Sequence, residues 1–394
     1  MNISVKVQRY IEGASWIRKM FEEGALLIKE YGKENVYDFS LGNPNLEPPE
    51  KFKEVVKKLI DDPTPNMHSY MPNAGIPYVR KAIADYLNKT EGLNLDENSI
   101  VMCCGAGGGL NVVLKAITNP GDEILTIAPF FVEYKFYADY ADGFLKPVDS
   151  NEDFSINFKN LENAITEKTK ALIINSPNNP TGRIYYQDEI NKLVELLEKK
   201  EKEFGNPIYL ISDEPYKKLV YEDVKLPSIL KSYKHSIVVN SFSKDLSLAG
   251  ERIGYIAVNP EAKNYELLME AIIFCNRTLG FVNAPALMQR AVAELLDEKV
   301  DINYYKRNRD TLYEIMNNAG FKFPKPEGAF YFFPKSPIED DVEFVKIAQK
   351  HKILVVPGSG FGRKGYFRVA YCVSYETILN SEKAWIELGK EFFK

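Results

Sequence analysis

Apolar positions along the middle of the chain fall into two alternating rhythms. Leu110, Val113, Leu114 and Ile117 recur at i, i+3, i+4 and i+7, which predicts a helix over about 107–118. Asn119-Pro120-Gly121 ends it. Short apolar runs then predict strands at Ile124–Ile127, Ala171–Ile174, Ile208–Ile211, Ile237–Val239 and Tyr255–Val258. Between them Ile190, Leu193, Val194 and Leu197 repeat the helical spacing. Strand, helix and strand in series predict an α/β domain, its largely parallel sheet sandwiched by helices. The rhythm changes near residue 285. From Pro285 to Asn318 the pattern is helical and charged, without internal Pro or Gly. Phe330–Phe333, Ile353–Val356 and Tyr366–Tyr371 read as strands, a helical segment separates the first two, and a helix closes the chain. These elements predict a smaller α+β domain.

Composition narrows the function classes. The 394 residues suffice for two domains. Lys plus Arg number 50 against 55 Asp plus Glu, a net charge of -5, so no basic surplus points to nucleic acid. The four cysteines contain no C-x-x-C and the three histidines no cluster, so neither a disulfide framework nor a metal site is expected. The first sixteen residues hold no uninterrupted apolar stretch and no cleavage signal, and no apolar run approaches a membrane span. A cytoplasmic location is expected.

In open α/β sheets, ligands bind beyond the carboxyl ends of the strands. Three predicted strand ends carry chemistry. Asn175-Ser-Pro-Asn-Asn179-Pro-Thr-Gly182 follows the first, Ser212-Asp213-Glu-Pro-Tyr216 the second, and Asn240-Ser241-Phe-Ser243-Lys244 the third. The small residues Gly105-Ala106-Gly107-Gly108-Gly109 open the helix before Leu110, so backbone N–H groups can approach a phosphate there. A dinucleotide fingerprint is rejected, since Leu110 stands where its last glycine belongs. An amine for a Schiff base, a carboxylate for a pyridine nitrogen, donors for a phenolate and a phosphate cradle are what pyridoxal 5'-phosphate requires. Arg252 offers a bidentate phosphate clamp.

These motifs resemble the class I/II aminotransferases of PLP fold type I. Asn179-Pro-Thr-Gly182, Asp213-x-x-Tyr216, Ser241-x-Ser243-Lys244 and Gly250-x-Arg252-x-Gly254-Tyr255 occur in the family's order, and Gly328-Ala-Phe330-Tyr331, Pro357-Gly358 and Phe367-Arg368 resemble its small-domain motifs. The resemblance implies a large cofactor-binding domain over 45–285 and a small domain from 1–44 and 286–394. It implies ping-pong transfer of an amino group from an L-amino acid to a 2-oxo acid. Lys244 would carry the Schiff base and then act as acid and base. Asp213 would pair with the ring nitrogen, and Asn179 and Tyr216 with the phenolate. Gly105, Ala106, Gly107, Ser241, Ser243 and Arg252 would line the phosphate, and Phe131 would stack on the ring. Gly42, Asn179 and Arg368 would meet the substrate, Arg368 gripping its α-carboxylate. Tyr70 would reach the phosphate of a neighbouring subunit, implying a homodimer.

The sequence departs from the family in two places. Leu41-Gly42-Asn43-Pro44-Asn45 replaces the usual Leu-Gly-x-Gly-x-Pro, and Phe131 stands where aspartate-specific members often carry Trp. Phe has no N–H for a side-chain carboxylate, which weakens aspartate specificity. Members of the family that favour dicarboxylates also use an Arg from the partner subunit; Arg277 lies near the corresponding region, and its role stays open. Blander readings stand beside these: Asp213 as a helix cap, Asn179-Pro-Thr-Gly182 as an ordinary turn, Phe131 as core, and Arg368 paired to a structural carboxylate. A lyase or synthase on the same scaffold is the alternative activity. A regulator with an aminotransferase-like domain would need a DNA-binding domain, for which motifs starting by about residue 38 leave no room.

Overall fold

Residues 3–13, 24 and 26–393 are described in a computed structural model. In chain order the strands are β1 (Tyr37–Asp38), β2 (Ile100–Cys103), β3 (Glu123–Ala128), β4 (Phe144–Asp149), β5 (Thr169–Asn175) and β6 (Tyr209–Asp213). They continue as β7 (Ser236–Ser241), β8 (Gly254–Val258), β9 (Tyr331–Phe332), β10 (Ile353–Leu354), β11 (Val356–Pro357) and β12 (Phe367–Ala370).

Strands β2 to β8 form one seven-stranded sheet in the order β2-β8-β7-β6-β5-β3-β4. The pairs from β7 to β4 are parallel. Successive side chains point to opposite faces, and helices cover both. Leu125, Ile127, Leu172, Ile174, Leu210 and Val238 pack on one side. Ile124, Ala171, Ile173, Ile211, Ile237 and Val239 pack on the other. Burial on both faces explains why these strands read as unbroken apolar runs. Each such Leu, Ile or Val side chain contributes roughly 1.5–3 kcal/mol when fully buried. Strand β8 runs antiparallel to both its neighbours. Its connection from β7 holds only the short helical turn Ala249–Glu251, too little for the crossover that a parallel partner needs.

Two expected elements divide. The helical stretch from Pro285 to Asn318 is two helices, Ala286–Ala293 and Ile302–Asn318. Between them Leu295 and Leu296 turn into the core beneath the large sheet, and the Val300 N–H donates to the Asp245 carbonyl at 2.8 Å. Asp301 then caps the second helix through Asn303 N–H. The apolar run Ile353–Val356 serves two partners. Ile353 and Leu354 pair parallel to β1, whereas Val356 and Pro357 pair antiparallel to β12. β12 also pairs antiparallel to β9.

A separate aromatic-rich core gathers Phe39 with Val300, Tyr305, Phe321, Phe330, Phe332, Phe344, Phe367 and Trp385. The changeover from the sheet core to this one falls between Leu296 and Val300, beyond residue 285. Tyr216 and Leu219, from the loop after β6, join the aromatic core and tie the two together.

Candidate active site

The carboxyl ends of β5, β6 and β7 open onto a cavity of about 400 Å³. Gly42, Ala106, Gly107, Phe131, Asn179, Asp213, Tyr216, Ser241, Ser243, Lys244, Arg252 and Arg368 all line it. A larger hollow of about 510 Å³, bordered by Tyr86, Lys218 and Asp245, holds none of the site residues expected from the sequence.

Lys244 lies just past β7. Its Nζ donates to the Gly42 carbonyl at 2.6 Å and meets no carboxylate among the described residues. Burial pushes its pKa down to about 8, with Arg368 and Arg252 pushing the same way against an upward pull from Cys372.

Asp213 ends β6 and is buried. Its Oδ2 accepts from the Tyr134 hydroxyl at 2.6 Å, while Oδ1 has no partner among the described residues. Burial raises its pKa to about 7, against a lowering by the Tyr134 bond. It caps no helix. Its carbonyl accepts from Asn175 Nδ2 at 2.8 Å, and Asn175 Oδ1 accepts from the Asn179 N–H at 2.6 Å. The turn after β5 is thereby fixed to the strand end that presents Asp213.

Arg368, on β12, is buried without an acidic partner among the described residues. Nη1 donates to Asn179 Oδ1 at 3.0 Å and Nη2 to the Ser40 carbonyl at 2.7 Å, while Nε stays unpaired. The guanidinium lies between the rings of Tyr331 and Phe361, 4.6 and 4.7 Å from their centroids. A guanidinium held flat by neutral groups keeps its charge available to an incoming carboxylate. The reading of Arg368 as half of a structural ion pair therefore lapses.

Gly105 begins the helix Gly105–Ile117 at φ +70°, a backbone region costly for residues with a Cβ. A Cβ there would lie 2.8 Å from Arg252 Nη2. Arg252 Nη1 donates to Ala249 O at 2.9 Å, and the guanidinium faces the positive end of that helix with no carboxylate bound to it among the described residues. Arg252 and the first-turn residues Ala106 and Gly107 line the same cavity, and a guanidinium beside a positive helix end suits an anion.

The family model for aminotransferase class I and II matches residues 34–380. The chain belongs to the class I and II aminotransferases. It is 34% identical over 370 residues to a probable aspartate aminotransferase of Methanocaldococcus jannaschii, covering 91% of this chain and 93% of that one. It is 31% identical over 386 residues to aromatic-amino-acid aminotransferase 2 of Thermococcus litoralis, covering 92% of each. A crystal structure of an aminotransferase from Eubacterium rectale superposes with a TM-score of 0.96 at 40% identity, over 100% of both chains. Family members depend on pyridoxal phosphate.

Within this aminotransferase, Tyr70 lies outside the cavity and is 93% exposed. Arg277, on the helix Tyr265–Thr278, sets its guanidinium 5.4 Å from the Phe274 ring centroid and does not line the cavity either. Phe131 is half-buried at the cavity wall, edge-on to Tyr134. Three tyrosines have site positions that sequence reasoning did not assign. Tyr134 holds Asp213, and a Cβ on Gly107 would lie 3.0 Å from the Tyr137 hydroxyl. The Tyr331 hydroxyl bonds that of Tyr216 at 2.9 Å and packs on Gly42. Tyr134 opens the helix Tyr134–Tyr140 three residues past Phe131, and no motif in the sequence pointed to it. Tyr331 stood inside a motif without a role.

Proposed function

We propose that this aminotransferase holds pyridoxal 5'-phosphate at Lys244 and exchanges amino groups between an L-amino acid and a 2-oxo acid in two half-reactions. One observation carries the reading. A single cavity sets the desolvated Lys244 amine beside a carboxylate lacking a donor on Oδ1 and a guanidinium lacking an acid.

The residues fit the cofactor. Asp213 Oδ1 is the acceptor a ring N–H needs, and Gly105, by lacking a Cβ, lets the Arg252 guanidinium approach the helix start where phosphate oxygens would sit. Ala106, Gly107, Ser241 and Ser243 would complete that cradle, Phe131 would cover the ring, and Asn179 and Tyr216 would donate to its phenolate oxygen. When bound, pyridoxal phosphate supplies an aldehyde that condenses with amines and a ring that takes up the electron pair freed at Cα.

Arg368 would fix the substrate α-carboxylate and so set the direction of the Cα–H bond. Lys244 Nζ would take the Cα proton. A pKa near 8 leaves a useful share of neutral amine at neutral pH, where an ordinary lysine holds almost none. We further read the enzyme as a cytoplasmic homodimer in which exposed Tyr70 reaches the neighbouring subunit's phosphate. No described helix is long and apolar enough to cross a membrane. We also read the chain as two domains, the large one over 45–285 and the small one from 1–44 and 286–394.

The test is the visible spectrum of purified protein before and after adding a panel of L-amino acids, with 2-oxo acids assayed in parallel. Loss of the Lys244-bound cofactor's absorption with matching 2-oxo acid supports transamination. Ammonia or an eliminated group instead would move the lyase or synthase alternative ahead. Asp213→Asn should cut 2-oxo acid formation by about a hundredfold or more; undiminished turnover would refute the ring-nitrogen role.

A further inference from the structure

We propose that Lys218 and Asp245 are positioning residues for the proton transfer at Lys244. From behind the active-site cavity they fix the loop that carries Lys244 to the loop that carries Tyr216 and to residues 296–300, where the chain passes from the sheet core to the aromatic core. The inference rests on the transamination reading and deepens it.

Lys244 and Asp245 are neighbours in sequence that face different spaces. Lys244 lines the active-site cavity, whereas Asp245 lines the larger hollow of about 510 Å³. Lys218 borders the same hollow, two residues past Tyr216. Its Nζ donates to the Leu296 carbonyl at 2.6 Å and to the Glu298 carbonyl at 3.1 Å. The same ammonium forms an ion pair with Asp245 Oδ2 at 3.6 Å and stands 5.2 Å from the Tyr86 ring centroid. The Asp245 backbone adds a second tie to the passing segment, its carbonyl accepting from Val300 N–H at 2.8 Å. Both catalytic loops are thus pinned to one stretch of chain.

The pair is largely withdrawn from water, with side chains 19% and 8% exposed. Burial raises the Asp245 pKa to about 6 against the opposing pull of Lys218. A buried ion pair is a weak source of stability, because desolvation offsets most of the attraction, and apolar replacement of both partners is often neutral. What this pair supplies is direction. Between β7 and the helical turn Ala249–Glu251 the lysine loop contains no helix or strand, so side-chain and backbone ties set its place. Proton transfer is sensitive to that place: a misplacement of about 1 Å can slow a reaction roughly a hundredfold.

The experiment compares wild type with Asp245→Asn, Lys218→Met and the double variant Lys218→Met with Asp245→Leu. Neither single substitution leaves a charge without relief, since Lys218 keeps its two carbonyls and Asp245 can take up a proton. Amide hydrogen exchange over 242–253 and 296–302 is read on the apoprotein, and kcat, KM and the Cα-deuterium isotope effect on the holoenzyme with the L-amino acid that wild type uses best. Exchange over both segments should quicken about tenfold relative to the rest of the sheet. Each variant should lose roughly ten- to a hundredfold in kcat, with KM within about threefold and a larger isotope effect. The double variant should melt close to wild type and yet stay slow. Recovery of its rate along with its stability would mark a merely structural pair and overturn the proposal. So would unchanged exchange, or a wild-type kcat and isotope effect in a variant whose segments exchange faster. If wild type itself yields no 2-oxo acid, the transamination reading fails, and the rate at which Lys244 captures added pyridoxal phosphate decides instead. A tenfold slowing in the variants supports the positioning role, and an unchanged rate refutes it.

Discussion

Gly105→Ala tests the phosphate cradle at its narrowest point. The backbone there has φ +70°, where a residue with a Cβ costs about 1–2 kcal/mol. The new methyl would also meet Arg252 Nη2 at 2.8 Å, Cζ at 3.1 Å and Nη1 at 3.2 Å. A guanidinium on a flexible stem can retreat by a few tenths of an ångström. Doing so strains its bond to Ala249 O and takes the charge out of line with the helix end. Losing one well-aligned charge-assisted hydrogen bond costs about 1.5–3 kcal/mol. The dissociation constant of pyridoxal phosphate should therefore rise roughly ten- to a hundredfold. Equilibrium dialysis of apoprotein against the cofactor measures this directly, with circular dichroism confirming that the variant is folded. Arg252→Lys removes the fork but keeps the charge. If the alanine acts through the guanidinium, the double variant should be little worse than the weaker single one. A folded Gly105→Ala protein that binds the cofactor within twofold of wild type would refute the reasoning.

Lys244→Met removes a buried amine whose folded pKa, about 8, lies below its unfolded value of 10.5. Its stabilising contribution is fully present only above about 10.5 and is lost as pH falls through 8. Apo Lys244→Met should therefore melt higher than apo wild type below pH 8, the gap narrowing towards pH 10.5; a pH-independent gap would contradict the lowered pKa. Arg368→Gln should lower kcat/KM for amino acids at least about a hundredfold, and Arg368→Lys should restore little because the fork is lost; steady-state kinetics decide. Tyr331→Phe keeps the ring under Arg368 but deletes the hydroxyl bonded to Tyr216. It should shift the pH titration of the bound cofactor's absorption while KM changes by less than about threefold, and Tyr331→Leu should raise KM instead. An unmoved titration in Tyr331→Phe would show that the hydroxyl pair does not act on the cofactor.

The large sheet was legible because each parallel strand is buried on both faces and so leaves a continuous apolar run. The residues that gather round one cavity were legible because chemistry-bearing side chains cluster just after those runs. The reversed direction of β8 was not, since Tyr255–Val258 has the same apolar character in either orientation; only the short connection from β7 decides it. The break at 294–301 was hidden because no Pro or Gly marks it, the chain turning instead on buried Leu295 and Leu296. The phenol partners of Asp213 and Tyr216 were also hidden. A tyrosine's hydroxyl contact depends on which distant element packs beside it, as Tyr331 from β9 does beside the loop after β6.

The pairing of Tyr37 with Ile353 spans 316 positions (353 − 37). At synthesis rates of about 5–20 residues per second, β1 waits roughly 15–60 s for β10 to be made. All seven strands of the large sheet are complete by Val258, so that sheet can assemble on the ribosome while Phe39 still lacks most of its aromatic neighbours. During that interval the segment around Tyr37–Phe39 has neither its strand partner nor most of its aromatic contacts. A nascent chain halted before residue 353 should be cleaved by protease near Phe39 while its sheet resists.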